Sequence, residues 1–285
     1  MSLVVQISDT HILPPGSLLY GKTNSAAHLA AVVKQINNMK PQPDVVLITG
    51  DLVEKPEESC YMHFLALIEP LKPPTYILPG NHDSPEFMAE FFRGTPYFPV
   101  DDETCQFVVD GLPFRILMLN SHCPHSQLPE YPADRLAWLE WQLEQSSEPT
   151  LIAIHHPPMV TGIAFVDMVG PQWFAGLKQL LSRHPNVKLV ICGHSHMDMS
   201  GRIAQVPVYM APSTSHQLIA DRGLDIAPWY INRGAPPVLH QFLGGEFLSG
   251  SYYWPEGFEG RRIDDDSGIE WDTLKMYMRG RRKAG

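Results

Sequence analysis

Cysteine is scarce in this 285-residue chain. Cys60, Cys105, Cys123 and Cys192 are its four, and no two stand in C-x-x-C spacing. That excludes a disulfide framework and a thiolate zinc site as the basis of the fold. Basic charge is short as well: 21 Lys and Arg against 31 Asp and Glu leave a formal charge of −10. The chain therefore lacks the basic footprint of a general nucleic-acid backbone binder. The cluster Arg279, Arg281, Arg282 and Lys283 reads as a solvated terminus. No apolar run approaches bilayer-spanning length, and the opening MSLVVQISDTH has no charged n-region or cleavage signature. The expected address is the cytoplasm, with no membrane partner. Solenoid-type repeats are absent too. What is there is globular: 44% hydrophobic and 18% charged residues exclude a disordered chain, and 27 prolines predict many rigid loops.

Short apolar runs alternate with amphipathic stretches through the first half. LVVQIS (3–8) precedes a helix over about 24–39, in which Leu29, Val32, Val33 and Ile36 hold helical spacing. DVVLITG (44–50) precedes a second helix with Tyr61, Phe64, Leu65 and Ile68 as its stripe, and TYILPG (75–80) follows. This βαβαβ order predicts parallel strands joined by helical crossovers. The second half repeats the unit less regularly. FRILMLNSH and TLIAIHH flank a helix over 133–145, a helix over about 173–183 precedes VKLVICG, and VPVYMAPSTSH is a further strand.

The endings of these runs carry the chemistry: Asp9 and His11; Asp51; Asn81, His82 and Asp83; His155 and His156; His194 and His196. In α/β sheets, ligand sites gather outside the carboxyl ends of strands. One such ending is ordinary turn composition, whereas five delivered to one edge are not. Asp9, His11, Asp51, Asn81, His155, His194 and His196 offer oxygen and imidazole without thiolate, a mix that suits iron, manganese, cobalt or zinc. Seven ligands exceed one ion's share. Two divalent or mixed-valence ions sharing a carboxylate are expected, and such a pair, about 3.5–4 Å apart, clamps both oxygens of an in-line displacement. This is phosphoester chemistry, with bound cations supplying the positive charge an acidic chain lacks.

In this order and on these strand ends, SDTH, GDLVE, GNHD, IHHPP and GHSH resemble the signature of the calcineurin-like metallophosphoesterase superfamily. LYGKTN, HHPP and STSHQ bring the resemblance near to the bacterial class III cyclic-nucleotide phosphodiesterase and glycerophosphodiesterase group, over the chain to about Gln217. The resemblance implies an α/β fold of two mixed sheets packed as a sandwich flanked by helices. The catalytic domain would span 1–217, and an extension over 218–285 would complete the sheet and form a cap or oligomer contact. Asp9, His11 and His196 would hold one ion, Asn81, His155 and His194 the other, and Asp51 would bridge them. IHHPP offers both His155 and His156; the family pattern places the ligand at His155. Gly193 is expected to let the chain turn, and the odd spacing of His194 and His196 to send one imidazole to each ion. His82 would face the leaving oxygen as the catalytic acid, and Asp83 would orient its ring or cap the helix over about 84–92. Asn81 and His216 would also meet substrate, and hydrolysis would proceed by attack of a hydroxide held between the ions.

The expected substrate is a small phosphodiester, a 3′,5′-cyclic nucleotide of the cyclic AMP type ahead of a broad range of glycerophosphodiesters. Aromatic residues abound after Pro228, and their faces stack bases. The same Pro228–Pro255 stretch suits an interface, so a homodimer or higher homo-oligomer is expected. A catalytically inactive scaffold of the same fold should show broken motifs, and none of the ligand positions nor His82 is broken. A phosphomonoesterase would need added Arg or Lys for a dianion, and the motifs carry none. His28, His63, His122, His125, His184 and His240 are read as core or surface histidines.

Overall fold

Ser2–Ile7 (β1) is buried along its whole length, as a parallel-sheet strand covered on both faces must be. The computed structural model describes residues 1–100, 104–219, 229–252, 263 and 267–279. After β1 come α1 (Ser25–Asn38), β2 (Val45–Thr49), α2 (Glu58–Ile68), β3 (Thr75–Leu78) and α3 (Pro85–Phe91). Next are β4 (Phe107–Val109), β5 (Arg115–Met118), α4 (Ala133–Glu144), β6 (Thr150–Ala153), α5 (Ala175–Leu181) and β7 (Val187–Cys192). β8 (Met199–Ile203), β9 (Val206–Met210), β10 (Gln217–Leu218), β11 (Tyr230–Ile231), β12 (Val238–Leu243) and β13 (Glu246–Ser251) follow.

Two main sheets form, in the orders β13-β12-β1-β2-β3 and β4-β5-β6-β7-β9-β8, and both are mixed. β1, β2 and β3 run parallel while β12 pairs antiparallel to β1; β5, β6, β7 and β9 run parallel between the antiparallel edges β4 and β8. Alternation along the second sheet gives the layering, because successive side chains leave opposite faces. Ile116, Met118, Leu151, Ala153, Leu189 and Ile191 join the cluster that contains the first sheet with α1 and α2. Their neighbours Leu117, Leu119, Ile152, Ile154, Val190 and Cys192 pack with Leu139, Leu143, Leu177 and Leu180 of α4 and α5. The sandwich flanked by helices that the resemblance implied is thus the observed architecture.

Two elements differ from the sequence expectation. Pro171 opens a 3₁₀ turn over Pro171–Phe174, so the α-helix begins only at Ala175 rather than near Trp173. β9 stops at Met210, and the segment through His216 bonds to the loop after β1, with Thr214 N–H donating to the Ser8 carbonyl and Ser213 Oγ to the Asp9 carbonyl, both at 2.8 Å. Met1–Tyr253 forms one compact unit and Trp254–Gly285 another, which contributes helix α6 (Trp271–Met278). Pro228, Tyr253, Trp254, Pro255 and the basic Arg281, Arg282 and Lys283 lie outside the described residues. Among the described residues, no helix is long and apolar enough to cross a membrane.

Candidate metal centre

Each candidate ligand sits two to four residues beyond the carboxyl end of a strand: Asp9 and His11 after β1, Asp51 after β2, Asn81 after β3, His155 after β6, His194 and His196 after β7. The first three strands belong to one sheet and the last two to the other. Nine non-glycine residues adopt positive φ among the described ones, and five are Asp9, His11, Asp51, His194 and His196. Left-handed backbone costs a non-glycine residue about 1–3 kcal/mol, so this concentration marks a place where conformation serves chemistry rather than stability.

The side chains converge in two groups. His196 Nε2 lies 3.3 Å from Asp9 Oδ1, and His11 Nε2 lies 3.1 Å from His196 Nε2. On the other side Asn81 Oδ1 lies 3.1 Å from His155 Nε2 and 2.9 Å from His194 Nδ1. Asp51 Oδ2 stands between the groups, 3.7 Å from His11 Nε2 and 3.4 Å from His155 Nε2.

Whether cations fit is decided by the remaining ring nitrogens. His11 Nδ1 meets Glu54 Oε2 at 2.9 Å, His155 Nδ1 the Thr49 carbonyl at 2.8 Å, and His196 Nδ1 the His216 carbonyl at 3.1 Å. In a neutral ring those Nδ1 atoms are the donors, so each Nε2 presents a lone pair inward, against carboxylate and amide oxygens. Acceptors facing acceptors in a buried space call for positive charge, and the described ion pairs of Asp9 and Asp51 involve only imidazoles. The electrostatics of these groups point the same way. Burial raises the Asp9 carboxyl, yet His196 brings it down to about 2; burial lowers His155, yet Asp51 pushes it up to about 9. The donor set fits two ions.

His155, the alternative that the family pattern favoured, is the one whose Nε2 faces Asp51. His156 bonds through Nδ1 to Ser121 Oγ at 2.8 Å; burial holds it well below its usual range, and its Nε2 is buried without a partner in the described structure. His82 donates its backbone N–H to Asp51 Oδ1 at 2.9 Å, and its Nδ1 lies 3.0 Å from the Glu54 carbonyl. Burial works to lower the His82 pKa, but Asp51 and Glu54 outweigh it and the net shift is upward.

The expectation for Asp83 is corrected. Its Oδ2 accepts the Gly80 and Leu52 N–H groups at 2.9 and 3.1 Å, and its Oδ1 accepts the Tyr61 hydroxyl at 3.1 Å. It holds the GNHD turn, not the His82 ring, and burial together with Asp51 pushes it up to about 6. The cap of α3 is Ser84, whose Oγ accepts the Phe87 N–H at 3.2 Å. The reason for Gly193 also changes. Its backbone is not left-handed; a Cβ there would strike Ser8 Oγ and the Asp9 carboxylate, so close approach is what requires glycine.

His216 stands 4.5 Å from His196 and 5.6 Å from His11, ring centre to ring centre, and packs against Tyr20 and Tyr230 at 5.5 and 5.8 Å. Three residues at the centre were given no role from sequence. Glu54 orients His11 and stands inside the quoted GDLVE; Tyr20 stands inside LYGKTN; Gln127, whose Oε1 accepts the Asn81 amide at 2.6 Å, carried no sequence signal. His28 and His63 support the surrounding loops through the Ser215 and Leu13 carbonyls.

A binuclear phosphoesterase centre is what this fold and donor set define. The calcineurin-like phosphoesterase family matches residues 2–198, and the chain belongs to that family as a metal-dependent phosphodiesterase. It is 32% identical over 260 residues to a probable glycerophosphodiester phosphodiesterase GpdQ of Arcobacter nitrofigilis, covering 90% of this chain and 95% of that one. It is 29% identical over 221 residues to the 3′,5′-cyclic adenosine monophosphate phosphodiesterase CpdA of Haemophilus influenzae, covering 76% and 78%. The fold is similar to that of a dimetal phosphatase from Danio rerio, with TM-score 0.63 at 13% identity over 88% of this chain and 99% of that one.

Proposed function

We propose that the chain hydrolyses a 3′,5′-cyclic nucleotide of the cyclic AMP type. The observation that carries this reading is the aromatic rim beside the centre: Tyr20, His216 and Tyr230, with ring centres 5.2–5.8 Å apart. Tyr20 is 58% exposed at a left-handed turn position, and an exposed aromatic residue beside the centre is available to a base. A base stacks on such faces by about 1–3 kcal/mol each, and a glycerol group has no face to offer.

Asp9, His11 and His196 form one ligand set and Asn81, His155 and His194 the other, with Asp51 shared. Iron, manganese, cobalt or zinc matches these donors. Ions bound there supply positive charge to the phosphoryl oxygens and acidify water. Hydrolysis exchanges the P–O bond to the leaving oxygen for one to a water oxygen, and the departing oxygen needs a proton. His82 Nδ1–H is committed to the Glu54 carbonyl, so the proton given up sits on Nε2. Asp51 and Glu54 favour the protonated His82 ring. Glu54 holds the neighbouring His11 in the matching tautomer.

A second reading, a glycerophosphodiester phosphodiesterase of broad specificity, is favoured by the longer match to the GpdQ relative, 90% of this chain against 76% for CpdA. The test is kcat/KM measured side by side for cyclic AMP, glycerophosphoethanolamine and an aryl phosphodiester on the metal-loaded protein. Cyclic AMP is expected to lead. A tenfold lead for the glycerol diester, about 1.4 kcal/mol at the transition state, replaces the first reading by the second. A cytoplasmic address and a homodimer or higher homo-oligomer belong to the same proposal. Exposed Trp229 and Ile231 support the latter, and light scattering tests it.

A further inference from the structure

Each ligand set draws on both sheets, Asp9 and His11 with His196 and Asn81 with His155 and His194, so the centre exists only at one spacing and register of the sandwich. Apolar packing between sheets is strong but non-directional. A polar side chain that is not itself a ligand crosses the seam at the level of the centre. Gln6 of β1 is fully buried, and its Nε2 donates to Thr49 Oγ1 at 2.8 Å and to the Cys192 carbonyl at 2.9 Å. Thr49 stands two residues before Asp51, and Cys192 two residues before His194. The Thr49 carbonyl itself accepts His155 Nδ1. A single amide thus ties together the strand ends that deliver ligands from both sheets.

The amide is held in that sense by a second residue. His240 of β12 places Nε2 at 3.0 Å from Gln6 Oε1, and Ser249 of β13 places its Oγ at 2.7 Å from His240 Nδ1. With Gln6 Oε1 as acceptor, His240 carries its proton on Nε2 and the Ser249 hydroxyl donates to Nδ1. Every nitrogen and oxygen in the chain is thereby satisfied. Burial lowers the His240 pKa to about 3, so the ring stays neutral in this role. Stability alone does not call for such a chain, since apolar groups of the same shape can replace a buried hydrogen-bonded pair at little cost.

We infer that Gln6 and His240 are positioning residues for the binuclear centre, fixing the distance between the ligands that one sheet delivers and those that the other delivers. The inference rests on the two-ion reading of the site. Mn(II) titration of the metal-stripped protein, followed by the free-ion EPR signal, tests both and separates them. Wild type is expected to bind two ions; a single ion would overturn the two-ion reading and the inference with it. Gln6→Met is expected to weaken the looser ion by about 10–100-fold, the usual effect of losing an outer partner, and to abolish the spin-coupled signal of the pair. The stripped variant should still unfold cooperatively, with a modest drop in Tm because the Cys192 carbonyl and the His240 ring each lose a partner. His240→Leu should repeat this pattern if Gln6→Met does not fold, and His240→Gln, which keeps an amide donor for Gln6 Oε1, should restore the second ion. Folded Gln6→Met or His240→Leu with wild-type Mn(II) affinities and coupling would overturn the assignment, as would a His240→Gln variant no better than His240→Leu.

Discussion

Glu54 serves two histidines at once, with its carboxylate on His11 and its carbonyl on His82. In the proposed mechanism His11 is a ligand and His82 the acid, so the two functions should separate by mutation. His82→Ala should keep near-native metal content, measured by elemental analysis, while kcat falls by about 10²–10⁴. An activated aryl leaving group, which needs little protonation, should be hurt less. Gln127→Ala should act in the opposite way. It frees the Asn81 amide to rotate, and a lost outer partner weakens metal affinity by about 10–100-fold. Excess metal should then restore kcat, and titration of the stripped protein reads the affinity directly.

At the scale of elements, the helix stripes were readable from spacing because burial follows the same period. Leu29, Val32, Val33 and Ile36 are the buried apolar residues of α1, as their pattern requires. Ends of elements were less readable, since caps and turns depend on a few local bonds. α3 is capped by Ser84 and begins with Pro85 at its first position, which places Asp83 in the turn rather than on the helix. Ser84→Ala should therefore cost about 1 kcal/mol in urea unfolding and leave the centre assembled. Gly193→Ala should not be tolerated in this way. The added Cβ would press on Asp9 and Ser8, so metal content is expected to fall together with activity.

For the whole molecule, the buried seam predicts a pH dependence of folding. His240 is neutral in the fold because burial lowers its pKa to about 3, whereas in the unfolded chain it titrates near 6.5. Between those values the unfolded state binds the extra proton, so stability is present above about pH 6.5 and is lost as pH falls toward 3. The loss from pH 7 to pH 5 is about 2 kcal/mol from this residue. Chemical denaturation of metal-stripped wild type and His240→Gln at the two pH values should show that part of the slope missing from the variant.

By itself the sequence determined which residue types stand at the ends of which apolar runs. Asp9, His11, Asp51, Asn81, His155, His194 and His196 follow from it, because strand period and ligand chemistry are local properties. Which ring nitrogen faces inward was not local. It depends on Glu54, Thr49 and His216 accepting the opposite nitrogen, partners 43, 106 and 20 residues distant. The same is true of Gln127 on Asn81 and of Gln6 between the sheets, where ordinary polar residues acquire a role from what the fold sets against them. Asp83 shows the limit from the other side: adjacency to His82 suggested an orienting contact, but its carboxylate is taken by the Gly80 and Leu52 amides and the Tyr61 hydroxyl. Hydrogen bonds reward distance and angle, and only the packed sandwich sets those between strands so far apart in the chain.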